Sequence, residues 1–203
     1  RNILKIDLKN NKHEKTEYFN LSETRESKKI YPEEVIKSID NSVEINLLAD
    51  TKIGTFLSGG IDSSLITILS KKHNSNIEGF TTVYLPEKKY EKFNIDYEYS
   101  KKLSKDLNIK LNVNFVENIS DALDDFYKVT DYLDEPISNL NFLNTYWQSK
   151  QAKSHDVKVI LTGDGSDELF CGYDRYSNIF ISEKLKILKF LSKKISLYNS
   201  IPK

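Results

Sequence analysis

The sequence is poor in the residues that form disulfides and structural metal sites. Its 203 residues include one cysteine, Cys171, three histidines and no methionine. A single cysteine cannot form an internal disulfide, and so few Cys and His residues exclude a zinc site of the spaced Cys/His type. A metal ion would therefore need oxygen ligands. Because the chain starts at Arg1 and contains no methionine, we expect it to be a piece of a longer protein.

Excess charge and long apolar runs are also missing. Thirty Lys and Arg residues balance thirty Asp and Glu residues, so no basic excess points to nucleic acid or to an anionic membrane. The longest apolar stretches, such as residues 53–57, fall far short of the roughly 20 residues that a membrane span needs. No signal-peptide pattern opens the chain. We therefore expect a cytoplasmic protein that binds neither nucleic acid nor membrane.

The length and composition are those of one globular domain with an appendage. Apolar residues make up 38% of the chain, which is enough for a sizeable core. Residues 1–29 are interpreted as a lead-in from a missing N-terminal domain, with short strands at 3–8 and 15–19, a turn at 9–12 and a polar linker. Residues 30–177 form the main domain. Residues 178–203, with Leu185, Leu188 and Leu191 at helical spacing, are interpreted as a helical tail cut off from the rest of that domain.

Strand and helix patterns alternate through the main domain. Periodicity predicts helices at 31–50, 62–73, 96–108, 120–133 and 140–154, and strands at 53–57, 77–84, 109–115 and 157–161. The strict alternation of apolar and polar residues in 109–115 predicts a half-buried outer strand. This order favours an α/β fold with a doubly wound parallel sheet and helices on both faces. Ligands of such a sheet bind beyond the carboxyl ends of its strands, here after Leu57 and Leu161.

The loop after the first of these strands reads Ser58-Gly59-Gly60-Ile61-Asp62-Ser63-Ser64. Two glycines, a following helix N-terminus and several hydroxyls make a cradle for phosphate. The loop lacks the Lys of a Walker loop, and its adjacent glycines do not fit a dinucleotide fingerprint. Asp62 would repel a phosphate unless a cation such as Mg²⁺ lay between them. The alternative is that Asp62 or Ser63 only caps the helix.

The second candidate segment, residues 162–176, follows the strand at 157–161. Its carboxylates Asp164, Asp167 and Glu168 have the simple alternative of stabilising a helix start. In a parallel sheet, however, both loops lie at the same edge. Asp62 and Asp167 are then placed to flank one Mg²⁺ ion held on ATP phosphates.

These motifs carry a family resemblance. The first loop resembles the pyrophosphate-binding loop of the N-type ATP pyrophosphatase superfamily. The second resembles the Ser-Gly-Glu-Gly-(Ala/Ser)-Asp-Glu-Leu-Phe-Gly-Gly-Tyr stretch of the synthetase domain in glutamine-hydrolysing asparagine synthetases. Residues 133–137 are similar to the Leu-Asp-Glu-Pro segment of that family, and Thr145, Tyr146 and Ser149 to its Thr-Tyr-Leu-Leu-Ser helix. The similarity runs in order from about Val43 to Tyr176.

The resemblance implies a site in an adenine nucleotide alpha hydrolase-like fold. Asp62 and Asp167 would bind Mg²⁺, and Asp164 stands where the family usually has a Glu proposed to act in amination. Cys171 stands where Gly is common, and Asn139 where Asp is common. Pyrophosphate would be held by Ser58, Gly59, Gly60, Asp62, Ser63 and Ser64, and the adenosine bordered by Leu57, Thr82 and Gly163.

The implied activity is that of an ATP-dependent amide-forming ligase. Aspartate would be activated as β-aspartyl-AMP with release of pyrophosphate, and ammonia would then convert it to asparagine, with ATP and Mg²⁺ as cofactors. A glutaminase domain and a homo-oligomer are expected in the full-length protein. The open alternatives are another amide-forming member, such as a β-lactam synthetase or a peptide cyclase, and a non-catalytic ATP-binding module. The last is suggested by Asp164 in place of Glu and by a phosphate-contacting Lys of the family that has no obvious match here.

Overall fold

The computed structural model describes residues 1–20, 29–86, 91–117, 119–135, 137–139 and 141–182. Most of the expected linker at 20–29 and of the expected tail at 178–203 therefore lies outside the described residues. The chain forms two compact units, Arg1–Ile39 and Asp40–Lys203. Within the described part of the chain, no helix is long and apolar enough to cross a membrane.

The first unit contains an antiparallel hairpin of β1 (Asn2–Asp7) and β2 (Lys12–Glu17). Both expected strands are present, but β2 begins three residues before the expected start. The Asp7 carboxylate explains this shift, because it accepts hydrogen bonds from the backbone N–H of Lys9 at 2.9 Å and from Asn10 Nδ2 at 2.9 Å. These bonds close the turn at residues 8–11, which leaves Lys12 to pair with Asp7. Helix α1 (Pro32–Asn46) follows in the chain.

The second unit is built on a four-stranded parallel sheet. In chain order its strands are β3 (Lys52–Phe56), β4 (Glu78–Tyr84), β5 (Lys110–Val116) and β6 (Val157–Leu161), and their spatial order is β5-β4-β3-β6. The helices are α2 (Ile61–His73), α3 (Glu91–Asp106), α4 (Ile119–Thr130), α5 (Asn141–Ser154) and α6 (Ser166–Phe170). A further helical stretch covers residues 174–182.

The connections wind in two directions from the centre of the sheet. The chain passes from β3 through α2 to β4 and through α3 to β5, then returns through α4 and α5 to β6 on the other side of β3. Because parallel crossovers are right-handed, the two helix pairs cover opposite faces. The predicted doubly wound α/β fold is confirmed. Its topological switch point lies between β3 and β6, where ligands of such sheets bind.

Two elements differ from the sequence prediction in an informative way. Helix α3 begins at Glu91 rather than at 96, and its first turns are anchored by Asn94, which is 7% exposed and bonds both Tyr84 N and Tyr84 O. Strand β5 is the outer strand, as expected, but the side chain most buried in it is Asn112, and Phe115 is 50% exposed. Asn112 is tolerated there because its Nδ2 donates to Glu78 Oε2 at 2.8 Å.

The core that supports the site lies between α5 and the sheet. Phe80 of β4, Ala152 of α5 and Val157 of β6 form one buried cluster, against which Phe56 and Ile160 pack. Burying one such large side chain stabilises the fold by about 1.5–3 kcal/mol. This packing fixes α5 across the sheet, so its N-terminal half is held near the carboxyl ends of the strands.

Candidate functional site

The loops that follow β3 and β6 meet at the switch point. The two strands pair in parallel with Thr55 opposite Leu161, so both chains leave the sheet side by side. A Cβ atom added to Gly163 would lie 2.8 Å from Asp62 Cβ and 2.9 Å from Ser63 N. The two candidate loops are therefore in contact through a position where only glycine fits.

The first loop is held in shape by its own hydroxyl groups. Gly60 N donates to Ser58 Oγ at 3.3 Å, and Ser63 Oγ donates to Gly60 O at 3.1 Å. Ser58 Oγ and Ser63 Oγ lie 2.9 Å apart and close the ring. Gly59 makes the turn at φ +89°, and a Cβ there would lie 2.4 Å from Asp96 O. Hydrogen bonding and close backbone packing together fix this loop.

The N-terminus of α2 opens from this loop without a side-chain cap. Gly60 is the N-cap residue, and no side chain accepts a hydrogen bond from the first turn. Within the described part of the chain, the Asp62 carboxylate has no hydrogen-bond partner. The capping alternative for Asp62 and Ser63 is therefore not what the structure shows. The first backbone N–H groups of α2 remain available for an anion.

A cavity of about 460 Å³ lies where the two loops meet. Its volume is in the range of small-molecule sites. It brings together seven of the residues expected from the sequence: Ser58, Gly60, Asp62, Ser63, Gly163, Asp164 and Asp167. The other residues that line it are Phe56, Asp96, Asn141, Asn144, Thr145, Gln148, Thr162, Gly165, Glu168 and Tyr173.

Four expected residues do not line the cavity: Leu57, Gly59, Ser64 and Thr82. The Leu57 side chain is fully buried, and its N–H donates to Phe80 O at 2.9 Å, which extends the pairing of β3 with β4. Gly59 packs against the backbone of α3, and Ser64 lies inside α2. Thr82 stands behind a lining residue, because its Oγ1 accepts a hydrogen bond from Gln148 Nε2 at 3.4 Å.

The cavity is strongly acidic. Among its described lining residues none is lysine, arginine or histidine, whereas five are carboxylates: Asp62, Asp96, Asp164, Asp167 and Glu168. A polyphosphate would be repelled from such a wall unless cations accompanied it. The hard oxygen donors of Asp62 and Asp167 suit Mg²⁺, which usually takes one or two protein carboxylates and completes its shell with phosphate oxygens and water. The described residues contain no group of three or more His, Cys, Asp or Glu side chains that could hold a metal ion.

The carboxylates of the second loop differ in their surroundings. Glu168 Oε1 accepts a hydrogen bond from Tyr173 Oη at 2.7 Å, which lowers the pKa of Glu168 and raises the pKa of Tyr173. The Arg175 guanidinium lies 4.2 Å from the centre of the Tyr173 ring and fixes that ring in turn. Asp164 is exposed, and its backbone N–H donates to Thr162 Oγ1 at 3.4 Å. The Glu168 carboxylate is thus occupied by its hydrogen bond from Tyr173, while the Asp164 carboxylate is open to a ligand.

Sequence reasoning missed the contribution of two helices to this cavity. Asp96 of α3 carries no motif that marks it, and it reaches the site only because α3 packs against Gly59. On α5, Asn141, Asn144 and Gln148 are spaced by three and four residues and so share one face of the helix. That polar stripe was the available signal, although spacing alone does not show which side of the sheet α5 covers.

The fold and this site define an α/β domain of the adenine nucleotide alpha hydrolase-like type, a doubly wound sheet with a glycine-rich loop and an acidic loop at its switch point. The chain belongs to the asparagine synthase family, whose model it matches over residues 34–199. The resemblance drawn from the motifs is thereby confirmed.

Individual relatives show the same affiliation. The chain is 31% identical over 154 residues to asparagine synthetase [glutamine-hydrolyzing] 1 of Bacillus subtilis, covering 76% of this chain and 23% of that protein. It is 32% identical over 208 residues to the putative asparagine synthetase [glutamine-hydrolyzing] 2 of Methanocaldococcus jannaschii, covering 96% of this chain and 38% of that protein. The NH3-dependent NAD synthetase of Campylobacter jejuni is similar in structure, with a TM-score of 0.49 and 19% identity over 71% of this chain and 61% of that one. The chain thus spans well under half the length of these two curated relatives.

Proposed function

We propose that this chain carries the ATP-binding part of an amide-forming ligase of the asparagine synthetase type. The observation that carries the proposal is the meeting of the two motif-bearing loops at one cavity, with Asp62 and Asp167 both in its wall. In the proposed reaction a carboxylate oxygen of aspartate attacks the α-phosphorus of ATP, and the bond to the pyrophosphate oxygen breaks. Ammonia then attacks the acyl carbon of β-aspartyl-AMP, AMP leaves, and the nitrogen loses a proton.

The first loop is suited to hold the leaving pyrophosphate. The uncapped backbone N–H groups at the start of α2 would donate to the negative charge that grows on the pyrophosphate as the α–β bridge breaks, and each well-placed donor is worth a few kcal/mol. The ring formed by Ser58, Gly60 and Ser63 keeps these donors in position before the ligand arrives. Leu57, Gly59, Ser64 and Thr82 would act through the backbone or from behind the wall.

Asp62 and Asp167 would hold Mg²⁺ on the phosphates from opposite loops. When bound, the ion would offset the charge of the triphosphate and of the leaving pyrophosphate. The acidic wall supports this assignment, because no described residue that lines the cavity has a cationic side chain to offset the charge of the phosphates.

Asp164 is the proposed proton acceptor in the amination step. Its carboxylate is exposed to the cavity, so it can take a proton from the attacking nitrogen. It is one methylene shorter than the usual Glu of the family, so its reach depends on how closely the acceptor sits. In the whole protein we further propose that a glutaminase domain supplies the ammonia and that the protein works in the cytoplasm.

The test is phosphorus NMR of ATP and Mg²⁺ incubated with this chain, aspartate and ammonium, with each component omitted in turn. AMP and pyrophosphate that appear only when both aspartate and ammonium are present would support the proposal. ATP that is bound but never turned over, in the chain and in the full-length protein, would favour the non-catalytic alternative. Turnover with a different carboxylate would favour another amide-forming member.

The variants Asp62→Ala and Asp167→Ala should lower the turnover at least a hundredfold, since each removes a proposed metal ligand. Asp164→Asn should lower asparagine formation more than pyrophosphate release, because only the second step needs the proton acceptor. Asp124→Ala, an exposed position on α4, is the matched control and should leave both rates unchanged. Near-normal rates in both Asp62→Ala and Asp167→Ala would rule out the shared-metal arrangement.

A further inference from the structure

The end of β4 and the face of α5 are joined by a side-chain pair that no motif marks. Tyr84 is the last residue of β4, and its Oη donates to Asn144 Oδ1 at 2.6 Å. Asn144 lies on α5 and lines the cavity between the two loops. The pair therefore links the edge of the sheet directly to a wall of the site.

Tyr84 is held from several sides. Asn94 brackets its backbone, accepting from Tyr84 N at 2.9 Å and donating from Nδ2 to Tyr84 O at 2.7 Å. Its ring packs edge-on to Trp147, whose Nε1 donates to Asp125 Oδ2 at 2.8 Å. Burial raises the pKa of Tyr84, so its hydroxyl keeps its proton and remains a donor. With its backbone and ring held in this way, Tyr84 keeps its hydroxyl at Asn144 Oδ1.

The orientation of Asn144 has a chemical consequence. With Oδ1 accepting from Tyr84, the amide presents its Nδ2 group, which carries two N–H donors, to the remaining surroundings. One turn further along α5, Gln148 Nε2 donates a hydrogen bond to Thr82 Oγ1. In a wall whose described residues include five carboxylates and no cationic side chain, this oriented amide is one of the groups that can donate to an anionic oxygen.

We propose that Tyr84 is a positioning residue that holds the Asn144 amide as a donor to the carboxylate of the acceptor substrate. In this assignment the first loop and the start of α2 take the phosphates, Thr82 and Gln148 border the adenosine, and the Asn144 end of the α5 wall takes the acceptor. This inference rests on the proposed function, because it assigns part of the acceptor pocket of the same site. Tyr84 acts only through Asn144.

The test follows the side-chain amide signals of Asn144 in the ¹⁵N-labelled chain, assigned by their loss in Asn144→Asp. L-aspartate and a panel of other amino acids and dicarboxylates are titrated in with a non-hydrolysable α,β-methylene ATP analogue and Mg²⁺. We expect a carboxylate ligand to shift the Asn144 Nδ2 signals. Tyr84→Phe keeps the ring against Trp147 and should weaken that ligand about five- to tenfold, the effect of one orienting hydrogen bond. Binding of the ATP analogue should stay unchanged.

Two further variants sharpen the result. Asn144→Asp keeps an acceptor for Tyr84 but replaces the donor by a negative oxygen, so acceptor binding should fall more than tenfold. Tyr127→Phe, an exposed tyrosine on α4, makes the same chemical change away from the cavity and should have no effect. Melting temperatures of all variants separate loss of binding from loss of fold.

The outcomes distinguish the inference from the function on which it rests. A shift caused by another carboxylate and sensitive to Tyr84→Phe would uphold the positioning role while overturning aspartate as the acceptor. Aspartate binding that neither moves the Asn144 signals nor responds to Tyr84→Phe would overturn the inference and leave the proposed function standing. A panel in which no carboxylate moves the Asn144 signals also overturns the inference.

Discussion

At the residue scale, the backbone shape of the site requires glycine at two positions. Gly59 combines φ +89° with backbone atoms of α3 closer than 3 Å to any added Cβ, and Gly163 touches Asp62 and Ser63. Gly60, which directly follows Gly59 in the first loop, has only Ser58 Oγ near an added Cβ, at 3.5 Å. Three glycines of similar appearance in the sequence therefore differ in what they are needed for.

These differences predict different costs for the same substitution. Gly59→Ala should destabilise the fold by about 2–4 kcal/mol, since it adds a clash with backbone to a strained φ. Gly163→Ala should cost about 1–3 kcal/mol, because the two loops must separate. Gly60→Ala is the matched control and should change stability by less than about 1 kcal/mol. Urea unfolding followed by circular dichroism measures all three, and equal costs at the three positions would contradict this account.

Cys171 shows how one position in the second loop accepts a less suitable residue. It caps the C-terminus of α6 with φ 59° and ψ 39°, a left-handed conformation. That conformation costs about 1–2 kcal/mol for a residue with a Cβ, and glycine escapes the cost. Cys171→Gly should therefore relieve this cost without loss of fold.

At the element scale, charged side chains connect the amino ends of β4 and β5. This edge of the sheet is opposite to the edge at which the cavity lies. Glu78 lies 3.3 Å from Lys110 Nζ and 3.6 Å from His155 Nδ1, and it accepts a hydrogen bond from Asn112. Burial alone would raise the pKa of Glu78, but the hydrogen bonds from Asn112 and Lys110 outweigh it and lower the pKa below 4.5. The ionised carboxylate is thus favoured in the folded state.

A carboxyl whose pKa is lowered on folding stabilises the protein above its unfolded pKa, and this stabilisation is lost as the pH falls through the folded pKa. Glu78→Gln should therefore lower the melting temperature by about 2–4 °C at neutral pH. The gap to the original chain should shrink as the pH falls below 4.5 and through the lowered pKa of Glu78. Glu98→Gln, exposed on α3, is the control and should show no gap. A gap for Glu78→Gln that is constant with pH would mean that its charge contributes nothing.

At the scale of the whole molecule, the net charge of the chain does not reflect the charge of the cavity wall. The chain is neutral overall, with thirty cationic and thirty anionic side chains, yet the cavity wall concentrates five carboxylates. Composition therefore says nothing about the field at the site, which arises only when α3, the first loop and the second loop converge. That field would act on any anionic ligand that enters the cavity.

From this convergence we expect the effect of Asp62 and Asp167 on the affinity for ATP to change sign when Mg²⁺ is removed. With Mg²⁺ present, Asp62→Asn and Asp167→Asn should each weaken ATP binding at least tenfold, since a metal ligand is lost. With EDTA, the same variants should bind ATP more tightly than the original chain, because one repulsive charge is gone. Calorimetric titration in both conditions, with Asp124→Asn as control, measures this reversal. Weakening of equal size with and without Mg²⁺ would show that these carboxylates do not act through the ion.

The sequence by itself determined the strand and helix order, the doubly wound sheet and the family, because these depend on local periodicity and contiguous motifs. It identified seven residues that the structure brings to one cavity, all of them in the two segments that follow β3 and β6, either in the loop or in the first turn of the next helix. The tertiary structure alone decided that Leu57 is a core side chain, that Glu168 is engaged by Tyr173, and that Asp96, Asn144 and Gln148 reach the site. These outcomes depend on which face of the sheet each helix covers and on contacts between residues distant in the chain, such as the 60 positions that separate Tyr84 from Asn144. Periodicity shows that a helix has a polar face, but only packing determines what that face meets.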